Sequence, residues 1–287
     1  AYVDDKGIVY VIGEKTPFTG IVENYKTSEG DKTLSGKVPF KDGLMEGTSK
    51  LFYSNGKMAS VATFKKGKIE GIQKDYYESG IRKREISYKN GLVDGITKMY
   101  YLNGNIQSEI SYKKGVPDGI SRTYHKNGKI NVEATYKNGV QVGIQKDYYQ
   151  NGKLKIEENY VNSKSEGVSK VFYPNGKVKY ETPYKNDKKE GVEKFYSENG
   201  ILMSEIPFKN DIVIGVAKVY NAQTGKLEYE ENLVNGKRNG LSKKYYPSGK
   251  VLNEVNFKDD KEEGIMRVYY ETGKLQGEIP YKNGQVD

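Results

Sequence analysis

The chain has 287 residues with no cysteine, no tryptophan and one histidine, which excludes disulfides, thiolate metal sites and imidazole clusters. Its 47 Lys and Arg against 38 Asp and Glu give a formal charge of +9, and its 35% apolar content is too lean for two conventional cores. Tyrosine (26) and glycine (33) are abundant, so the composition is not that of a disordered chain either.

No stretch approaches the ~20 apolar residues of a membrane-spanning helix. The chain begins at Ala1, which points to removal of an upstream segment and favours a secreted, periplasmic or cell-surface protein over a cytoplasmic one, whereas the absence of cysteine suits either compartment equally. Residues 1–19 (AYVDDKGIVYVIGEKTPFT) carry no periodic pattern and read as an amino-terminal cap.

From Gly20 onward the chain repeats itself. Glycines recur at 20, 47, 71, 95, 119, 143, 167, 191, 215, 240 and 264, a beat of about 24 residues that defines eleven copies over residues 20–287. With each of these glycines as slot 1, the copy from Gly71 reads GIQKDYYESGIRKREISYKNGLVD. Short β-rich runs lie between two turn signals, and no helical period is present. The predicted fold is all-β: an elongated single-layer antiparallel β-meander of about eleven β-hairpin repeats.

The first turn signal, at slots 8–10, tolerates Pro174, Pro247, Ser79, Ser248 and Thr272. Proline and hydroxyl residues suit a type I turn closed by a glycine bulge, which makes a three-residue loop. Extending the same loop to the second signal at slots 19–21 places all even slots on one face, pairing slot 6 with 12, 4 with 14 and 2 with 16. On this expectation the even face gathers the aliphatics of slot 2, the aromatics of slots 6 and 18 and the cations of slot 4. The odd face holds Tyr at slot 7 and Glu at slot 15 as a polar, solvated side. The carboxyl end shows no cap, so a further segment or a partner is expected there.

The motif YY-x-N-G-K-φ-x-x-E-x-x-Y-K-N-G resembles the bacterial variant of the MORN repeat, the form found in YwqK-type antitoxins. The resemblance covers residues 20–287, except for an irregular first copy and an extra residue at Asn221–Gly225. It implies a sheet of stacked hairpins and a non-enzymatic role: scaffolding, dimerisation, toxin neutralisation or contact with anionic phospholipid.

The candidate binding surface consists of the slot-6 rings Tyr76, Tyr100, Tyr124, Tyr148, Phe172, Tyr196 and Tyr220 with the slot-4 cations Lys74, Lys98, Arg122, Lys146, Lys170 and Lys194. Rings beside cations can bind a protein, or an anionic headgroup or glycan through charge and cation–π contact. The commoner role for such lysines is to cover aliphatic neighbours with their stems. Nucleic acid is disfavoured, because acids are interleaved and only five of the basic residues are arginine. No phosphate loop, nucleophile elbow or metal-ligand cluster occurs, so neither cofactor nor metal is expected. His125 stands in a slot-7 position usually held by tyrosine and reads as a surface replacement. The reading is a non-enzyme whose tyrosine-rich sheet meets a protein partner or a second copy of itself. An antitoxin or immunity role, or binding of anionic lipid or glycan, stands as the alternative.

Overall fold

A computed structural model describes residues 2–29 and 32–287. All its regular structure is β. A small ladder of β1 (Tyr2–Val3) and β2 (Val9–Tyr10) precedes the first long hairpin, β3 (Gly20–Glu29) and β4 (Lys32–Lys41). The chain divides into two compact units, residues 1–141 with 150–152, and residues 142–149 with 153–287. Within each unit the strands form one antiparallel layer in chain order. The sheet is not closed: among the described residues β3 pairs only with β4, and Leu275–Lys282 only with the strand before it and its own two-residue return.

The two turns of a repeat are of different kinds. At the first, Tyr77 N–H donates to the Ile81 carbonyl (2.8 Å) and Gly80 N–H to the Tyr77 carbonyl (2.7 Å), with Gly80 at φ 89°. This is the three-residue loop that the proline and serine positions predict. At the second, Lys89 pairs directly with Leu92, leaving only Asn90 (φ 52°) and Gly91 (φ 80°) in the loop. Two successive positive φ values make a two-residue type I′ turn, whose twist matches that of the flanking strands. The three-residue loop expected there is incorrect. Even Ser163, the weakest candidate for such geometry, adopts φ 62° behind Asn162 at φ 51°.

A second correction follows from the register. Slot 6 meets slot 12 as expected (Tyr76 with Arg82), but the ladder then slips by one residue, so Asp75 faces Arg84, Lys74 faces Glu85 and Ile72 faces Ser87. The same slip recurs at Met99/Tyr100 and Thr123/Tyr124 in the first unit and at Val171/Phe172 and Phe195/Tyr196 in the second. Because side chains alternate with period two, one extra residue moves everything beyond it to the opposite face. Slots 2, 4 and 6 therefore share a face with slots 15, 17 and 19, whereas the aromatics of slot 18 lie on the other face with slots 3, 5, 14 and 16. The acids expected on a separate polar side stand among the cations and the slot-6 rings.

The second face carries most of the buried side chains, among them Asp75, Ser108, Ala134, Ser169, Thr182, Val255 and Phe257. A one-layer sheet has no second sheet to pack on, so burial comes from neighbours along the ladder and favours small residues. The deepest apolar cluster lies near the start, where Leu34, Tyr53 and Ala59 pack with Leu51.

Most of the polar consensus serves to join one repeat to the next. Slot-7 hydroxyls donate to the slot-6 carbonyl of the following repeat: Tyr77 to Tyr100 (3.0 Å) and Tyr101 to Tyr124 (2.7 Å) in the first unit, Tyr149 to Phe172 (2.6 Å) and Tyr173 to Tyr196 (2.8 Å) in the second. Slot-9 amides do the same two residues further on, as in Asn103 to the Lys126 carbonyl (3.0 Å) and Asn175 to the Glu198 carbonyl (3.0 Å). At the opposite edge the slot-24 acid accepts the next slot-20 N–H: Glu70 from Asn90 (2.7 Å), Glu190 from Asn210 (2.9 Å). Residues before the first repeat reproduce this edge. Thr19 Oγ1 accepts Asp42 N–H (2.9 Å) and the Phe18 carbonyl accepts Gly43 N–H (2.7 Å), so Phe18 and Thr19 stand where slots 23 and 24 of a preceding copy would.

Candidate functional site

Within each unit the corrected register builds a repeating polar network on the face of slots 2, 4 and 6. Each slot-15 carboxylate lies opposite the slot-4 cation of its own hairpin and that of the next, and beside the following slot-6 ring. In the first unit Glu109 is held by Lys98 Nζ at 2.8 Å through one oxygen and accepts the Tyr124 hydroxyl at 2.6 Å through the other. Glu85 accepts the Tyr100 hydroxyl (2.8 Å) and pairs with Arg82 (3.0 Å), whose guanidinium also lies 5.7 Å from the Tyr100 ring centre. Arg122 meets Glu133 at 2.6 Å.

The second unit repeats the arrangement more loosely. Lys170 lies 3.8 Å from Glu181 and Lys194 3.9 Å from Glu205, while Tyr196 donates to Glu181 (3.1 Å) and Tyr220 to Glu205 (2.7 Å). Phe172 holds the same slot without a hydroxyl, and Tyr148 and Lys146 occupy slots 6 and 4 of the repeat from Gly143. Tyr76 differs, because the slot-15 residue before it is Val61 rather than Glu; Lys74 opposes that same Val61 and Glu85. All thirteen candidate residues are half-buried.

The electrostatics follow from these contacts. Burial, reinforced by the bond to Glu109, pushes the Tyr124 hydroxyl up to about 12, and burial with Glu205 does the same for Tyr220. The Lys98 hydrogen bond and then the Tyr124 hydroxyl hold Glu109 below the usual carboxylate range, and Glu109 in turn raises Lys98. These shifts hold Lys98, Glu109, Tyr124 and Tyr220 in their ordinary charge states at neutral pH. Such a network orients side chains; it offers no acid–base pair poised for proton transfer. Among the described residues no group of three His, Asp or Glu is placed to hold a metal.

The sequence places the slot-2 aliphatics on this face, but they were not among the candidate binding residues. The slot-2 aliphatics Ile72 (55% exposed), Ile96 (50%) and Ile120 (45%), with Leu92 (52%) and Val116 (44%) at slot 22, stand out from the first unit toward its second-turn edge. The second unit continues slot 2 with Val168, Val192 and Val216, also exposed. The signal missed for the slot-15 acids was arithmetic: slots 1–6 face slots 12–18, and six positions cannot pair with seven without a bulge.

The repeat matches a known family model. Nine segments, 45–66, 69–90, 93–114, 117–138, 141–162, 165–186, 189–210, 238–259 and 262–283, fit the MORN repeat variant, more than half of the chain. The chain belongs to the MORN repeat variant family. The unmatched MORN copy beyond Gly215 holds the extra residue, absorbed in a wider first turn: Asn221 N–H reaches the Lys226 carbonyl (2.8 Å), and Tyr220 still pairs with Leu227. No curated protein matches the chain. A chain in the crystal structure of TcdB2-TccC3-Cdc42 is 13% identical, with a TM-score of 0.20, over 89% of this MORN chain and 18% of its own length. One in the structure of TcdB2-TccC3 is 11% identical, with a TM-score of 0.14, over 88% and 19%. This chain thus spans under a fifth of those proteins, and the overlap bears on neither fold nor activity.

Proposed function

We propose that this MORN protein is a non-catalytic binding module that recognises a protein partner through the face carrying slots 2, 4 and 6. The observation that supports this is the exposed aliphatic row beside an ordered Tyr–Glu–cation network on a sheet one layer thick. Contiguous apolar surface of this kind marks interaction sites, and tyrosine supplies contact area at low entropic cost. Binding of anionic lipid or glycan through the slot-4 cations is the weaker reading, because Lys98, Arg122, Lys170 and Lys194 each face a carboxylate of their own hairpin. An antitoxin role and an extracytoplasmic location rest on the resemblance and the composition alone.

Affinity capture with the full chain from extracts of the producing cell, followed by mass spectrometry, tests the proposal. A partner retained by the native chain and lost on Tyr100→Ala with Tyr124→Ala supports it. Retention undiminished by those substitutions and by changes at slot 2 overturns it.

A further inference from the structure

One part of the first unit has a chemistry that specifies its occupant. Ile72, Leu92, Ile96, Val116 and Ile120 are exposed on one face, and exposed lysines of slots 19 and 20 line the same edge: Lys89, Lys113 and Lys114. Lys113 pairs across the turn with Val116 and Lys89 with Leu92, so each cation projects beside an aliphatic on the same face. A shallow groove runs there between neighbouring second turns, lined by residues including Leu92, Lys89 and Lys113. The nearby acids are already engaged: Asp94 accepts Lys114 N–H (3.1 Å) and Asp118 accepts Asn138 N–H (3.0 Å). Among the described residues none of these three lysines forms an ion pair. Asp94 and Asp118 keep their charge in the same groove, but the three lysines outnumber them and none of their ammonium groups is held by a carboxylate, unlike the slot-4 cations.

We infer that this edge of the first unit docks an acidic amphipathic segment of a protein partner, with aliphatic side chains seated on slots 2 and 22 and carboxylates against the slot-19 and slot-20 lysines. This rests on the binding role proposed above and fixes its location and the partner's chemistry. Charge complementarity selects that occupant. A second copy laid face to face on the same aliphatics would bring lysine edge against lysine edge, and like charges in register oppose association. The spacing also suits a helix. Slot-2 residues recur every two strands, about 10 Å at ~4.8 Å per strand, and seven helical residues rise about 10.5 Å.

The test uses the full chain and two fluorescent helical peptides of about three heptads, each with leucines at seven-residue intervals, one flanked by glutamates and the other by lysines. The glutamate peptide is expected to bind, to weaken as salt rises, and to lose about tenfold or more in affinity on Ile96→Asn with Ile120→Asn. Lys89→Glu with Lys113→Glu should reverse the preference toward the lysine peptide. All four positions are exposed, and circular dichroism reports that each variant keeps its strands. Equal binding of both peptides, binding of neither, or binding only to phosphatidylserine vesicles overturns the assignment. The captured natural partner separates the two levels of the claim. Its loss on Tyr100→Ala with Tyr124→Ala but not on Ile96→Asn with Ile120→Asn leaves the binding role standing and removes this location; loss on neither removes both.

Discussion

Asp75 shows how a single position is committed in a thin sheet. It is 3% exposed, accepts Ser60 Oγ (2.6 Å) and Gln73 Nε2 (3.0 Å), and pairs with Arg84 across the strand. Asp75→Ala would leave three polar side chains without their acceptor, and a loss of about 1–3 kcal/mol is expected in urea unfolding. Glu109 and Tyr124 make a different commitment, expressed through pH. The Glu109 carboxyl is held below its ordinary range, so its contribution is complete above that range and fades as acid protonates it. The Tyr124 hydroxyl is raised from 10.0 to about 12, so its contribution is complete below 10 and is lost as pH climbs through 12. Thermal midpoints should form a plateau through neutral pH, falling on the acid side with the carboxylates and on the alkaline side with tyrosinate absorbance. In Tyr124→Phe about 1 kcal/mol of stability should go at neutral pH, and the alkaline fall should flatten, because the group whose ionisation contributes to it is gone.

At the scale of the hairpin the two turns predict opposite tolerance. The first turn already accommodates an extra residue at Asn221–Gly225 without disturbing the Tyr220–Leu227 pair, so one glycine inserted after Glu78 should cost little. The second turn has only Asn90 and Gly91, both at positive φ, and its slot-21 N–H is tied to the preceding repeat through the Ile69 carbonyl (2.9 Å). A residue inserted between Asn90 and Gly91 should be markedly destabilising, and paired urea curves for the two insertions check the contrast. This difference also explains what the sequence disclosed. Hairpins, their number and the first loop were legible because proline fixes φ, serine disfavours positive φ and glycine takes it freely, differences that letters reveal. The one-residue slip after slot 12 was not legible as a local signature, because no special residue marks it; it emerges from the unequal length of the two arms. That slip decided the faces. It carried Glu85 and Glu109 from a supposed polar side to the Tyr–Lys network, and carried Tyr88 and Tyr112 away from it. Ile96 and Ile120 were legible as members of this face but not as its most exposed part, since alternation assigns a side chain to a face without saying how far its neighbours cover it.

Within each unit the stability is close to a sum of hairpin and junction contributions, as expected for contacts confined to neighbours. Excising residues 95–118, a whole copy, joins Asp94 to Gly119 in phase and keeps every slot on its face. The shortened chain should stay folded, with an unfolding slope in urea reduced about in proportion to the residues lost. Removing only residues 95–106 puts Glu109 and its neighbours out of phase and should unfold that region, which hydrogen exchange would localise. The junctions have a further property, which is direction. Tyr77, Asn103 and Glu70 reach forward with their side chains, and what they grasp in the following hairpin is mostly main chain: the Tyr100 carbonyl, the Lys126 carbonyl and the Asn90 N–H. A formed hairpin thus offers these side chains to the main chain of its successor, and the successor's slot-6 hydroxyl reaches back in turn, as Tyr100 does to Glu85. Loss of the Tyr77 or Glu70 side chain should therefore loosen the copy that follows before the copy that carries it.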